Sequence, residues 1–489
     1  NVQDIYPLAP LQEGMLFHHL VDPAHDAYVE AGLIACDSRE RLDLFLGAMQ
    51  QVINRHDILR TSIAWQGLVQ PQQVVHRQAT LPITQLHFDA ADGDVSEQLA
   101  ARIDPQHYRL DISRAPLMHA YVTQDQPNGR WVLRLLTHHL AIDHPTLELM
   151  IDEALTFERG QGAGLPTSVP FRNFIAQICL GETSAEHEPF FRDMLQTVEE
   201  PTAPFDILDV QGDGRGVREA RRHLDPALAQ QLRERARRNG MTAASLIHLA
   251  WAMVLARLTG RQDVVFGTVF FGRMQGGSES DRSLGMFMNT LPIRIQIDQQ
   301  PLLGGLKQTH KLLAELLRHE HAPLALAQRC SGVPAKSPLF TTILNYRHSP
   351  ESLAGAAGIF DAALPGLALL GSQERTNMPI CVDVDDLGDD FALTAQVVEG
   401  ISPSRICDFL EHAIEALVAA LADTPAVPLQ QLDVLPAAER EQVVVGWNQT
   451  YQDLPLSSCV QELFEARVAA APDAIALVQP DLTLSYGEL

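Results

Sequence analysis

Two neighbouring imidazoles and a carboxylate four positions on, His138, His139 and Asp143, are the residues of this chain best placed by type and spacing to do chemistry. A histidine takes or gives a proton near neutral pH. A buried aspartate orients such a ring or holds its loop in shape. A lone histidine is more often a partly buried structural residue, so the case rests on the arrangement and on the elements that carry it. Residues 131–137, WVLRLLT, are a mostly apolar run of strand length. After Asp143, Pro145 suits a first helical turn, and Leu147, Met150, Ile151 and Leu155 recur at helical spacing. The three residues therefore fall in a loop between a strand end and a helix start, where a rigid scaffold presents reactive groups.

Other stretches support this centre or compete with it. Residues 42–53 read as a helix with Leu42, Leu44, Phe45, Met49 and Ile53 on its apolar side, running into RHDILRT at 55–61. An arginine entering a strand there, Arg60, crosses the core margin and calls for a carboxylate partner. A second pair, His18-His19, lies on a helix predicted within 4–20, with Asp22 at a different spacing, and reads as structural. GDGRG at 212–216 lacks the full spacing and the following apolar helix of a nucleotide-binding fingerprint. In the second half, helices are predicted over 187–198, 224–236, 242–259, 301–321 and 406–421, and strands over 263–271, 339–346 and 380–384. A glycine-rich loop, GRMQGG, occupies 272–277. From 424 the chain becomes a proline-spaced linker with a short helix, followed by a helix over 461–471 and a strand over 474–478.

With 489 residues the chain is too long for one core, and two to four compact units are expected. Apolar residues make up 46%, so it is globular. A formal net charge of -25 argues against nucleic acid and anionic membranes as partners. The six cysteines show no CxxC spacing, which argues against a structural zinc site and suits a reducing, cytoplasmic compartment. The chain begins with Asn1 and shows no basic-then-apolar leader; a piece of a longer cytoplasmic chain is expected.

HHLAIDH at 138–144 resembles the HHxxxDG signature of the condensation-domain family of nonribosomal peptide synthetases, with His144 where the family has Gly. RHDILRT matches that family's RHxxLRT pattern. Residues 4–20, 108–121 and 168–180 resemble further family segments in the same order, and Asn377 and Pro379 resemble its TNYP segment, with Met378 in place of Tyr. The resemblance implies an α/β fold of two chloramphenicol-acetyltransferase-like lobes, a V-shaped pseudo-dimer around a tunnel. The lobes would be 1–180 and 181–423, followed by a linker to an adenylation domain at 424–457 and the truncated start of that domain at 458–489.

The activity it implies is amide-bond formation between a carrier-bound acyl or peptidyl donor and an aminoacyl acceptor. Both substrates ride on phosphopantetheine arms of upstream and downstream peptidyl carrier proteins, and the domain itself binds no cofactor or metal. The resemblance assigns His139 to the reacting amine, as base or positioning group. It assigns His138 to support of the loop and Asp143 to an ion pair with Arg60. Gly272, Arg273, Gln275 and Asn289 would belong to the loop that crosses between lobes and floors the tunnel. FGRMQGG and MFMNTLP look like members that accept a D-configured donor. An imidazole at 144 narrows the tunnel, adds a titrating group, or is a tolerated variant, because glycine permits backbone angles that a side chain forbids. A different class stays open: a condensation-like platform that forms no bond and recruits a trans-acting oxygenase, such as a cytochrome P450 or an aspartate β-hydroxylase. An epimerisation domain fits less well, because an adenylation start follows directly.

Overall fold

The computed structural model describes residues 1–181, 184–210, 216–272, 283–348, 365–373, 376–452 and 458–489. They form two compact units, Asn1–Val434 and Leu435–Leu489.

Strands β1 (Val2–Pro7), β2 (Val29–Cys36), β3 (Thr61–Ala64), β4 (Gln72–His76), β5 (Ile83–Gln85), β6 (Met118–Asp125) and β7 (Arg130–His138) lie in the first half of the larger unit. The second half supplies β8 (Arg218–His223), β9 (Asp263–Phe270), β10 (Asn289–Gln296), β11 (Thr342–His348), β12 (Leu367–Gln373), β13 (Ile380–Asp386) and β14 (Phe391–Val397). Each half builds its own principal sheet: β12-β2-β7-β6-β5 in the first, β10-β9-β11-β13-β14-β8 in the second. A small sheet, β1-β4-β3, completes the first half. The mixed α/β class expected from the resemblance is the class found.

The run 131–137 becomes the middle strand of its sheet because it is apolar on both faces. Leu133 and Leu135 enter a large core shared with the helix Arg39–Arg55 and with Met150, Ile151, Ala154 and Leu155. Val132 and Leu136 enter a second core with Leu99, Leu110 and Tyr121. Ser38 caps the helix Arg39–Arg55, accepting the Arg41 amide. That helix is tied to the helix His144–Glu158 by Arg41 to Glu158 at 2.8 Å and by His56 to Glu153 at 2.7 Å. In the second half, Thr242 caps the buried helix Ala243–Thr259 by accepting the Ser245 amide, and Gly260 ends that helix at φ 67°.

Two segments of the second half cross into the first. β12 pairs antiparallel with β2, Leu367 opposite Cys36 and Ser372 opposite Gly32. Leu284, Met286 and Phe287 enter the first-half core. At Gly285, φ is 151° and a Cβ would stand 2.2 Å from the Phe171 ring, so only glycine passes. The first part of the predicted linker also packs on the larger unit: Val427 accepts from the Leu302 amide at 2.8 Å, and Leu429 is fully buried. The smaller unit holds the helices Ala437–Val444 and Val460–Ala470 and a hairpin of Ile475–Gln479 with Leu482–Ser485. Among the described residues, no single helix is long and apolar enough to cross a membrane.

Candidate functional site: the histidine loop after strand β7

The β ladder runs on past the end of β7. His138 N–H donates to the Leu117 carbonyl at 3.1 Å and His139 N–H to the Tyr28 carbonyl at 3.0 Å. The chain then turns, with Ala141 and Ile142 amides donating back to the His138 carbonyl. Asp143 caps the helix His144–Glu158: its Oδ1 accepts the Thr146 amide at 2.8 Å. Its Oδ2 accepts the Phe287 amide at 3.2 Å, and Thr146 Oγ1 donates to the Gly285 carbonyl at 2.8 Å. One carboxylate thereby fastens the histidine loop to the segment that crosses from the second half.

The expected Arg60–Asp143 ion pair is not formed. Arg60 is buried in the short 3-10 turn Ile58–Arg60, where its guanidinium donates to Gln3 Oε1 at 2.8 Å and to the His76 carbonyl. Its nearby carboxylate is Asp57, whose attraction only partly offsets the burial that lowers the arginine's pKa. The strand entry at 61–64 carries Arg60 toward β1 and β4, not toward the histidine loop, which is why the pairing implied by the resemblance is not made.

His138 is completely buried. Its Nδ1 accepts the Leu140 amide at 3.0 Å, so the proton of the neutral ring sits on Nε2 and is donated to Asp26 Oδ2 at 3.1 Å. The same oxygen lies 2.5 Å from His19 Nδ1. Burial alone would raise the Asp26 carboxyl; the two imidazoles outweigh it and hold the acid well below the usual carboxylate range. His19, Asp26 and His138 are close enough to suggest a metal centre. The tautomer argues otherwise, since a metal at His138 Nε2 would require an imidazolate while Nδ1 still accepts an amide. Of the pair His18-His19, which the sequence reads as structural, His19 is joined to the site through this carboxylate.

His139 stands differently. Its side chain is 15% exposed, with Nε2 2.8 Å from Glu30 Oε1. Nδ1 faces the Ile142 carbonyl at 3.1 Å. Both named partners are acceptors, a geometry that the doubly protonated ring satisfies at both nitrogens. Beside the loop, Phe17, His18, His19, Asp26 and Tyr28 line a small cleft with Asn377 of the second half. There His18 Nδ1 meets Tyr28 Oη at 2.6 Å, and burial lowers the pKa of the His18 ring.

The family model for the condensation domain matches residues 2–444. The chain belongs to the condensation-domain family. It is 44% identical, over its whole length, to malpinin synthetase of Mortierella alpina, and spans 6% of that synthetase. The crystal structure of a four-domain nonribosomal peptide synthetase bound to AMP and glycine superposes with a TM-score of 0.77 at 16% identity, covering all of this chain and 38% of that one. The X-domain from teicoplanin biosynthesis gives 0.69 at 19% identity, covering 89% of this chain and 99% of that one. At such identities the likeness is one of fold.

The remaining expected site positions of this condensation domain are His144, Asn289, Gly272, Arg273 and Gln275. His144 occupies the first turn of its helix, and its Nε2 lies 3.5 Å from Glu148 Oε1, with 27% of the side chain exposed. Among the described residues other than glycine, positive φ occurs at Phe205 and Asp206, so the backbone at 144 makes no demand for glycine. Asn289, expected in the tunnel loop, clamps a turn instead, donating to the Glu320 and Ala322 carbonyls at 2.7 and 2.8 Å. Gly272 is at φ 62°, where a Cβ would stand 2.1 Å from the Phe287 carbonyl oxygen. Arg273 and Gln275 lie outside the described residues. Sequence reasoning missed Asp26 and Glu30. Glu30 carries a usable signal, since it is the one charged residue of β2, VEAGLIAC.

Proposed function

We propose that this condensation domain joins a carrier-bound acyl or peptidyl thioester to the amine of a carrier-bound aminoacyl thioester. The observation that carries the reading is His139: a partly exposed imidazole at a strand–helix junction whose loop is fastened on one side by Asp26 through His138 and on the other by Asp143. His139 meets the acceptor amine as it attacks the donor carbonyl, taking the proton that the nitrogen must lose. The N–C bond forms, the C–S bond breaks, and the proton ends on the departing thiolate. His138, completely buried where His139 is partly exposed, supports the loop, and Asp143 holds its shape.

The substrates arrive on phosphopantetheine arms of upstream and downstream carrier proteins. Residues 1–180 and 181–423 act as the two lobes and 424–457 as the linker, while 458–489 begin an adjoining adenylation domain. The test supplies two loaded carrier proteins and follows them by intact-protein mass spectrometry. A longer thioester on the downstream carrier supports the reading. No amide with any donor, together with capture of a trans-acting oxygenase through an interface of about 1,200 Å² or more, would replace it with the platform.

A further inference from the structure

Side chains alternate along a strand. Val29, Ala31 and Leu33 of β2 enter the smaller first-half core. Glu30 therefore shares the opposite face with Ile34 and Cys36, which enter the larger core. A carboxylate on an inward strand face is costly unless partnered, and Glu30, 12% exposed, is partnered by His139 Nε2 at 2.8 Å. The backbone enforces the meeting: β2 and β7 pair with Val29 opposite His138 and Glu30 opposite Thr137, and the Tyr28 carbonyl accepts the His139 amide. The next position on the face of Glu30 is Gly32, where an added Cβ would meet no atom within 4 Å. The pair thus borders open space on that strand face.

We propose that Glu30 is the positioning residue of His139, a role that rests on the function assigned to His139 above. The ring is held at both ends, Nδ1 by the Ile142 carbonyl and Nε2 by the carboxylate. The geometry is that of the protonated stage, in which both nitrogens donate; in the neutral stage Nδ1–H keeps its bond to the Ile142 carbonyl and the amine takes the place of the carboxylate at the Nε2 lone pair. Once the ring has taken the proton at Nε2, the charge of Glu30 beside that nitrogen stabilises the imidazolium. When the ring passes that proton to the departing thiolate, Glu30 has gained and lost nothing.

The experiment uses the whole chain with two loaded carriers and compares Glu30→Ala, Glu30→Gln, His139→Ala and the double variant Glu30→Ala/His139→Ala. Glu30→Ala should lower kcat about 10–100-fold with little change in KM for either carrier, the scale seen for groups that orient a functional side chain. Glu30→Gln keeps an acceptor oxygen without the charge and should fall between Glu30→Ala and the parent. The double variant should be no slower than His139→Ala, because Glu30 acts through the ring. Either Glu30 variant at the parental rate, with His139→Ala impaired, overturns the role of Glu30 alone. So does a double variant much slower than His139→Ala. An inactive parent, or a fully active His139→Ala, overturns the underlying reading of the site instead. If Glu30→Ala does not fold, the isosteric Glu30→Gln carries the same comparison.

Discussion

Each half of the larger unit buries a carboxylate among histidines, and the two acids titrate in opposite directions. In the first half Asp26 accepts from His19 and His138 and is held below the usual carboxylate range, the two rings outweighing burial. In the second half Glu320 is buried beside His319 and His321, and neither of its oxygens has a hydrogen-bond partner among the described residues. His321 Nε2 stands 3.7 Å away, and burial pushes the Glu320 carboxyl up to about 7 and the His321 ring down to about 4. Burial is common to both places. Hydrogen bonds and the charge of the partner decide the outcome.

The largest effect should come from breaking the satisfied cluster. Asp26→Ala strands two buried rings and should cost about 3–5 kcal/mol, read from denaturant unfolding. Because the Asp26 carboxyl is depressed, its contribution is present above the ordinary value of 3.8 and is lost as pH falls below it. A parental unfolding midpoint for Asp26→Ala would mean that the rings find other partners.

Asp143→Ala comes next. It removes a helix cap and the acceptor of the Phe287 amide, for about 2–4 kcal/mol. Since Arg60 is not its partner, Arg60→Ala and Asp143→Ala should add within about 0.5 kcal/mol in the double variant. Strong coupling between them would restore the ion pair.

Glu320 sharpens the contrast through pH. Its folded-state pKa is raised, so the unfolded chain ionises first and stability falls as pH rises from 4.5 to about 7. Glu320→Gln should flatten that slope, measured as denaturation midpoints at several pH values. An unchanged slope would place the titration elsewhere. The smallest effect belongs to His144→Gly, whose histidine pairs with Glu148 on the surface of its helix. With no backbone strain to relieve, the change should lose about 1 kcal/mol or less, through glycine's helix cost and the lost pair. A more stable His144→Gly would expose a strain that the dihedral angles do not record.

Local periodicity made much of this legible. The apolar run of β7, Pro145 with its helical repeat, and the helix expected over 242–259 each sit where the sequence places them, because each is decided by neighbours within a few residues. Long-range choices were not legible. The pairing of β12 with β2, the partners of Arg60 and the bond from His19 to Asp26 join residues by topology, which no spacing in the chain encodes. The two histidines of the motif show both limits. They are adjacent in sequence and were ranked by resemblance, yet their difference lies in partners contributed by residues 26 and 30, on and just before another strand.

The proposal that His139 meets the reacting amine while His138 is locked in place rests on that difference. The most direct test is the rate of amide formation between two loaded carriers for His139→Ala against the parent, with melting curves recorded on both. A fall of roughly 10²-fold or more at a nearly parental melting temperature is the predicted result. A parental rate in folded His139→Ala would contradict it.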